Sequence, residues 1–230
     1  MGDSWRYTWT VLKLLIGNKN YSSWSLRPWL LLSHAQIPFE EECLSFNAPD
    51  FKTAVGRYSP VSKVPVLIHD DLVIWDSLAI AEYVAEAFPE KLLWPEHRTS
   101  RAHARSICAE MHSSFTAMRN LMPMNCSHTF EHVLFPLAVQ NDVQRIIDIW
   151  EDCRNRYAAE GPFLFGAFSV ADAFFAPVVR RFATYGVTVP NASNRYMRII
   201  SDLPSMKRWI IAAKAENDFF AEDEPYRKAP

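Results

Sequence analysis

A chain of 230 residues with 49% apolar and 22% charged residues can form the core of one large or two small globular domains. Its net charge of −2 and scattered basic residues argue against nucleic-acid binding. No apolar run approaches the roughly 18 residues of a membrane helix, and residues 1–10 lack the apolar core of a signal peptide. We therefore expect a cytoplasmic protein without membrane association, beginning with a loose extension over residues 1–10.

The four cysteines are widely separated and include no C-x-x-C pair; they are Cys43, Cys108, Cys126 and Cys153. This spacing argues against both a zinc ribbon and a dithiol redox motif. Because no export signal is seen, we expect reduced thiols. Packing as small apolar residues is the more frequent role of such cysteines, and a catalytic nucleophile is the rarer alternative.

The first predicted elements are a strand and a helix, joined by a loop rich in hydroxyl groups. Residues 11–16 form an apolar run typical of a short buried strand, and residues 23–35 show helical spacing of apolar side chains. Ser22, Ser23 and Ser25 stand where that helix begins. Free backbone N–H groups and the helix dipole favour an anion there, but serine is also an ordinary N-cap residue. This stretch alone leaves both interpretations open.

The elements up to residue 90 predict a mixed sheet covered by helices. They are a strand over 39–46, a short helix over 50–57, a hairpin of strands over 64–68 and 72–75, and an amphipathic helix that follows Asp76-Ser77 and ends at Pro89. Alternating strands and helices favour parallel pairing, and the hairpin adds antiparallel pairing.

The second half of the sequence is predicted to be helical throughout, apart from a weak strand over residues 187–189. Long helices are expected over residues 97–121 and 139–159, and a last helix over residues 203–215. Ser169 and Asp172 precede another apolar run with the spacing of a capping box. We expect the polar tail from residue 222 to fray.

Two dipeptides in the first half suggest a binding site. Val64-Pro65 opens a strand, and X–Pro is the type of bond in which a cis peptide is tolerated. A cis turn would expose the Val64 backbone to an extended peptide ligand. Asp76-Ser77 at a helix N-terminus would suit a carboxylate and an ammonium group. The alternatives are a trans edge proline and an ordinary helix cap.

Taken together, these motifs resemble the glutathione S-transferase family over essentially the whole chain. The resemblance lies in the segments Ser-Ser-Trp-Ser-Leu-Arg at 22–27, residues 59–67, residues 76–83 and residues 168–172. It implies an α/β thioredoxin-like N-terminal domain (residues 1–90) with a mixed four-stranded sheet, and an all-α C-terminal domain (residues 97–230). It also implies a homodimer that uses glutathione as co-substrate and needs no metal.

The resemblance implies a catalytic serine that stabilises the glutathione thiolate. In the zeta-like pattern this serine stands five residues before an arginine, which selects Ser22 from its distance to Arg27, with Ser23 as the alternative. Trp24 stands where the zeta class has cysteine, which argues against cysteine chemistry. The residues expected to bind glutathione are Ser22, Lys63, Val64, Pro65, Asp76 and Ser77. Val64 would pair with the cysteinyl backbone, whereas Asp76 and Ser77 would hold the γ-glutamyl end.

A small hydrophobic electrophile is expected between the two domains. The residues predicted to line its site are Met111, Phe115, Met118 and Met122, since methionine and phenylalanine form adaptable apolar surfaces. The alternative is that they pack the helical core. Arg119 and Asn125 are placed near this surface and would contact polar substrate groups.

His128 and His132 are four residues apart, but a metal site needs further ligands and Pro123 and Pro136 interrupt this segment. No metal is therefore expected. The sequence predicts a glutathione transferase; the alternatives are a glutathione-dependent isomerase of the zeta (maleylacetoacetate) type and a non-catalytic binding protein with the same fold.

Overall fold

The computed structural model describes residues 11–130 and 132–227, so the extension expected at residues 1–10 lies outside the described chain. The strands are β1 Leu12–Gly17, β2 Phe39–Leu44, β3 Val66–His69 and β4 Leu72–Ile74. The α-helices are α1 Ser23–His34, α2 Phe51–Gly56, α3 Ser77–Ala87, α4 Arg98–Ser113, α5 Thr116–Leu121, α6 Leu137–Tyr157, α7 Val170–Thr184, α8 Asn191–Asp202 and α9 Pro204–Ala215.

The four strands form one mixed sheet in the order β2-β1-β3-β4. β1 pairs parallel with β2 and antiparallel with β3, and β3 forms an antiparallel hairpin with β4. The central strand β1 is buried along most of its length, as its apolar run, interrupted only by Lys13, predicts. The predicted α/β sheet, followed by a helical half, is confirmed.

The core joins the sheet to the helical half of the chain. Leu14 and Ile16 of β1 belong to the same buried cluster as Leu30 of α1 and Phe174 of α7. A smaller cluster of Leu15, Val55 and Val66 lies apart from it and includes a residue of α2. Because α1 packs against α7, the N-terminus of α1 is held against the helical half.

Two expectations for the helical half are wrong. The helix expected over residues 97–121 is broken, because Phe115 adopts a left-handed conformation (φ 66°) between α4 and α5. Residues 187–189 form no strand; the Val187 N–H donates instead to the Phe182 carbonyl and closes the turn after α7.

The capping box at the start of α7 is confirmed. The Ser169 backbone N–H donates to the Asp172 carboxylate at 2.9 Å, and the Leu164 N–H donates to its other oxygen at 3.0 Å. Asp172 is fully buried, and this burial raises its pKa to about 6 despite the donors around it.

None of the helices in the described residues has the length and apolar character needed to cross a membrane. The chain between α3 and α4 contains a 3₁₀ turn at Pro89–Lys91 and then irregular backbone. The division into domains at residues 90 and 97 stays a prediction.

Candidate functional site

Two adjoining cavities lie beside the N-terminus of α1 and share Trp24, Lys63 and Val64 in their walls. The first has a volume of about 310 Å³ and runs between the start of α1 and residues of the helical half. The second, of about 320 Å³, extends along the Val64–Pro65 turn to the start of α3. Because they share walls, we describe them as one groove.

The groove brings together all seven residues predicted for catalysis and glutathione binding. Its first part is lined by Ser22 and Ser23, and its second part by Pro65, Asp76 and Ser77, with Lys63 and Val64 in both. The Val64–Pro65 peptide bond is cis, as expected. The roles of these residues stay predictions.

Ser22 is the N-cap of α1 and belongs to a chain of short polar contacts. Its Oγ accepts from the Ser25 backbone N–H at 3.4 Å and lies 2.7 Å from the Ser25 Oγ. The Ser25 Oγ in turn accepts from the Gly17 N–H at 3.2 Å. The ordinary N-cap interpretation is therefore correct for Ser22, and its place in the groove wall is an additional property.

Ser23 is held from the other side of the groove. Arg181 of α7 donates from Nη2 to the Ser23 Oγ at 3.1 Å and from Nε to the Met122 carbonyl at 2.7 Å. Burial of the Arg181 guanidinium lowers its pKa to about 10, so it remains charged at neutral pH. Ser23 accepts from this cation, and its own hydroxyl proton stays available for a ligand.

Trp24 lies against two guanidinium groups. The Arg27 guanidinium carbon is 4.2 Å from the indole centroid, and the Arg119 guanidinium carbon is 4.7 Å from it. Arg27 is fully buried, and its pKa is lowered well below the usual value by that burial and by the neighbouring charges of Arg119 and Arg181. Three arginines thus raise the positive potential around the serines.

The start of α3 closes the far end of the groove. Asp76 caps this helix by accepting from the Leu78 N–H at 2.8 Å, and its other oxygen lies 3.3 Å from Nε2 of His112. The Ser77 Oγ is buried and accepts from Nη1 of Arg27 at 3.5 Å. A carboxylate beside a hydroxyl and free helix N–H groups suits a ligand end that carries both an ammonium and a carboxylate.

The loop before α1 is anchored by residues near the C-terminus. Glu216 accepts from the backbone N–H groups of Lys19 and Asn20 at 2.7 and 3.0 Å, and Trp209 donates to the Lys19 carbonyl at 3.0 Å. Glu224 is buried and accepts from the Tyr21 hydroxyl at 2.8 Å. The expectation that the tail frays from residue 222 is therefore wrong for its described part.

Asp223 also lies in this C-terminal segment and lines the first part of the groove. Its burial raises the carboxyl pKa to about 6, although the Arg181 charge opposes that shift. Asp223 is the one acidic residue among those that line this part of the groove.

The four residues predicted for the electrophile site lie in the hydrophobic core. Met111, Met118 and Met122 are fully buried, Phe115 is 5% exposed, and none of them lines the groove. The helical half instead contributes Arg119, Pro123, Met124, Arg181 and Asp223 to its wall. Arg119, which was predicted to lie near the electrophile site, lines the groove. Asn125 is fully buried and accepts with Oδ1 from the backbone of its own turn.

Arg181 was missed, although the sequence contains a signal for it. Arg180 and Arg181 interrupt the otherwise apolar run of α7, and a charge inside such a run is rarely placed there without a partner. The partner is Ser23, 158 residues earlier in the chain.

The cysteines and histidines add no metal site among the described residues, where no group of three or more side chains of metal-binding type is found. All four cysteines are free thiols, and three of them are buried. Burial raises the pKa values of Cys126 and Cys153 to about 12, so neither is a thiolate at neutral pH.

Family models match two long segments of the chain. The glutathione S-transferase N-terminal domain matches residues 21–87, and the C-terminal domain of the same family matches residues 136–212. Together the two segments cover more than half of the 230 residues. The first contains every predicted glutathione-binding residue, and the second contains the capping box and Arg181.

Curated relatives match over shorter stretches. A probable maleylacetoacetate isomerase from Caenorhabditis elegans is 33% identical over 100 residues, which is 44% of this chain and 47% of the relative. Glutathione S-transferase 1 from Dianthus caryophyllus is 31% identical over 114 residues, or 49% of this chain and 52% of the relative. The matched region thus spans about half the length of these relatives.

A solved structure supports the fold over nearly the whole chain. A glutathione transferase homologue from Burkholderia, determined with bound glutathione, superposes with a TM-score of 0.69 and covers 89% of this chain and 99% of its own. Its sequence identity is 22%, so this likeness concerns the fold. With both family domains matched in chain order on a sheet and helical half of this architecture, the chain belongs to the glutathione S-transferase family.

Proposed function

We propose that this protein is a glutathione transferase, which joins the glutathione sulfur to a small electrophile. The observation that carries the proposal is the convergence of all seven predicted site residues on one groove. A tripeptide needs an extended backbone partner, a site for its charged α-amino acid end and a site that favours a thiolate. The groove offers all three, with the backbone partner Val64 between the other two.

In this proposal the backbone of Val64, at the cis-Pro65 turn, pairs with the cysteinyl residue of glutathione. Asp76 accepts from the γ-glutamyl ammonium group, and Ser77 donates to its carboxylate at the N-terminus of α3. Lys63 is exposed beside the turn and supplies a positive charge toward the tripeptide. This arrangement leaves the cysteinyl sulfur toward the start of α1.

The proposed chemical step is nucleophilic substitution or addition by the thiolate. The thiol proton leaves to solvent, and the sulfur lone pair forms the new carbon–sulfur bond. In a substitution, the leaving group departs with the bonding electron pair; in an addition, the electron pair of the broken π bond takes a proton from solvent. A free thiol with a pKa of about 8.5 is mostly protonated at pH 7, so the protein's contribution is to stabilise the anion with a hydroxyl donor and the α1 N-terminus.

Ser22 is our proposed donor to the sulfur, and Ser23 is the alternative. The Ser22–Ser25 contact contains two hydroxyl protons and needs only one of them. When Ser25 donates to Ser22, the Ser22 proton is free for the thiolate, and the Ser25 oxygen still accepts from Gly17. Ser23 has a free proton without this rearrangement, so both variants must be compared.

A glutathione-dependent isomerase is the second candidate, and the 33% identity to a probable maleylacetoacetate isomerase favours it. In such a reaction the thiolate adds to a carbon–carbon double bond and is later eliminated, so glutathione is not consumed. Trp24 in place of the zeta-class cysteine weighs against this candidate.

Calorimetric titration with glutathione, followed by turnover with a panel of electrophiles, tests the proposal. We expect glutathione to bind and to be consumed in proportion to product. Product formed without loss of glutathione would identify the isomerase instead. Absence of glutathione binding would refute both candidates. We also expect a homodimer, in keeping with the family, which sedimentation velocity will test.

A further inference from the structure

We propose that the electrophile accepted by this protein carries an anionic group, of the carboxylate type, and that Arg119 receives it. This inference rests on the proposed function and names the substrate class of the same groove. It narrows the expectation of a small hydrophobic electrophile to a small apolar molecule that bears a negative charge.

The first observation is an unused donor on a fixed cation. Arg119 donates from Nε to the Ser114 carbonyl at 3.0 Å and from Nη2 to the Met111 carbonyl. Its guanidinium also lies over the Trp24 ring. These contacts fix the group at the groove wall, yet its Nη1 atom is buried and has no hydrogen-bond partner in the described chain. A buried donor without a partner is costly, and a ligand acceptor would satisfy it.

The second observation is the charge of the groove. Arg119, Arg181 and Lys63 line its first part, and Asp223 is the single acidic residue in that wall. Within residues 11–130 and 132–227, neither Arg119 nor Arg181 has a carboxylate within 4.0 Å. Arg27 adds a further buried cation, with its guanidinium carbon 4.2 Å from the Trp24 ring centroid. Several cations facing one carboxylate in a partly closed space favour an anionic occupant.

The third observation is the position of Arg119 relative to the serines that we propose act on the glutathione sulfur. Arg181 connects the helical half to Ser23, so the arginines and the serines line one space of about 310 Å³. Pro123 and Met124 supply apolar contacts in the same wall. A small aromatic or unsaturated acid would therefore place its carboxylate at Arg119, its apolar part against Pro123 and Met124, and its reactive carbon toward the sulfur.

Glutathione itself carries a glycyl carboxylate, which is a second source of the same chemistry. If Arg119 binds the glycyl carboxylate, replacing Arg119 would weaken glutathione binding and slow the reaction with all electrophiles alike. If Arg119 binds the electrophile, replacing it would slow only the reactions of anionic electrophiles. The experiment must therefore compare an anionic and a neutral acceptor that share one reacting centre.

4-Chloro-3,5-dinitrobenzoate and its methyl ester provide this pair. In each, the glutathione sulfur forms a bond to the chlorine-bearing carbon, and chloride leaves with the bonding electron pair. Each rate is divided by the uncatalysed rate with glutathione, which removes the difference in intrinsic reactivity. We expect the wild-type protein to favour the benzoate over the ester in kcat/KM, and Arg119→Gln to lower kcat/KM for the benzoate about ten- to a hundredfold with little change for the ester.

Three controls complete the test. Arg208→Gln removes the same charge from the exposed surface of α9 and should leave the preference unchanged. Arg119→Lys retains a cation and should preserve more of the preference than Arg119→Gln. Because Arg119 also binds backbone carbonyls, unchanged thermal unfolding of each variant must accompany the kinetics.

Each outcome decides between the hypotheses. An equal loss for both acceptors with a raised KM for glutathione would assign Arg119 to the glycyl carboxylate and overturn the inference. Equal use of benzoate and ester by the wild type would also overturn it, while leaving the transferase proposal intact. Failure to conjugate either acceptor would instead count against the proposed function.

Discussion

Replacing Ser22 by alanine tests how the protein activates the thiol. The variant lacks the hydroxyl that we propose donates to the glutathione sulfur, and it keeps the α1 backbone, Ser23 and the arginines. The change also removes the N-cap contact to the Ser25 N–H, which costs about 1 kcal/mol of stability. Catalysis and stability must therefore be measured separately.

The expected effect follows from one hydrogen bond to an anion. Such a bond contributes about 1.5–3 kcal/mol, and one pKa unit corresponds to about 1.36 kcal/mol, so the hydroxyl lowers the thiol pKa by about one to two units. A bound thiol with a pKa of about 7 is half ionised at pH 7, whereas one at about 8.5 is roughly 3% ionised. Ser22→Ala should thus lower turnover at pH 7 by about fifteenfold.

Ultraviolet absorbance of the bound thiolate, recorded against pH, measures the pKa directly, and calorimetry gives the glutathione affinity of the same sample. We expect Ser22→Ala to raise the pKa by one to two units with nearly unchanged affinity. Ser22→Thr keeps a hydroxyl and should retain most of the shift. Ser106→Ala, which removes a hydroxyl from the exposed face of α4, should change nothing.

Two results would contradict the proposed role of Ser22. If Ser22→Ala retains the low pKa and Ser23→Ala loses it, the donor is Ser23 and the Arg181 contact becomes its support. If both variants retain the low pKa, no serine hydroxyl activates the thiol, and the positive groove itself must do so.

Three further predictions concern binding and stability. Ser77→Ala removes the hydroxyl that accepts from Arg27, so KM for glutathione should rise about two- to tenfold with kcat unchanged; a fall in kcat alone would contradict a binding role. In Gly17→Ala the new Cβ would lie 2.3 Å from a ring carbon of Phe46, so urea unfolding should show a loss of about 1–3 kcal/mol. Because burial raises the pKa of Asp172 to about 6, its carboxyl binds a proton more readily in the folded than in the unfolded chain. The free energy of unfolding, relative to Asp172→Asn, should therefore fall by about 3 kcal/mol as pH rises from about 4 to about 6 and stay level above that; a rise over this range would show that the folded-state pKa is depressed.

The sheet and the capping box were predictable because their signals are local. β1 is an apolar run interrupted only by Lys13, and Ser169 and Asp172 have the sequence spacing of a capping box. The helix break at Phe115 has no such signal. The apolar periodicity continues across Phe115, so the sequence predicts one helix. In the structure the left-handed backbone conformation of Phe115 divides this stretch into two helices.

The residues that the helical half contributes to the groove were not predictable from periodicity for a different reason. An apolar stripe reports that a helix face is buried, but not whether that face meets packed side chains or an open groove. Met111 and Met118 are fully buried among packed side chains. The contact between Arg181 and Ser23 depends on the packing of α7 against α1, and nothing within either segment encodes it.

The anchoring of the loop before α1 limits how this protein can exchange parts with its relatives. The backbone N–H groups of Lys19 and Asn20 are satisfied by Glu216, almost 200 residues later. A chimera could combine this N-terminal half with the helical half of a relative. Both backbone N–H groups would then be unpaired unless the relative has an acidic side chain at the position of Glu216. Recombination between family members should therefore succeed only when this carboxylate is inherited together with the serines.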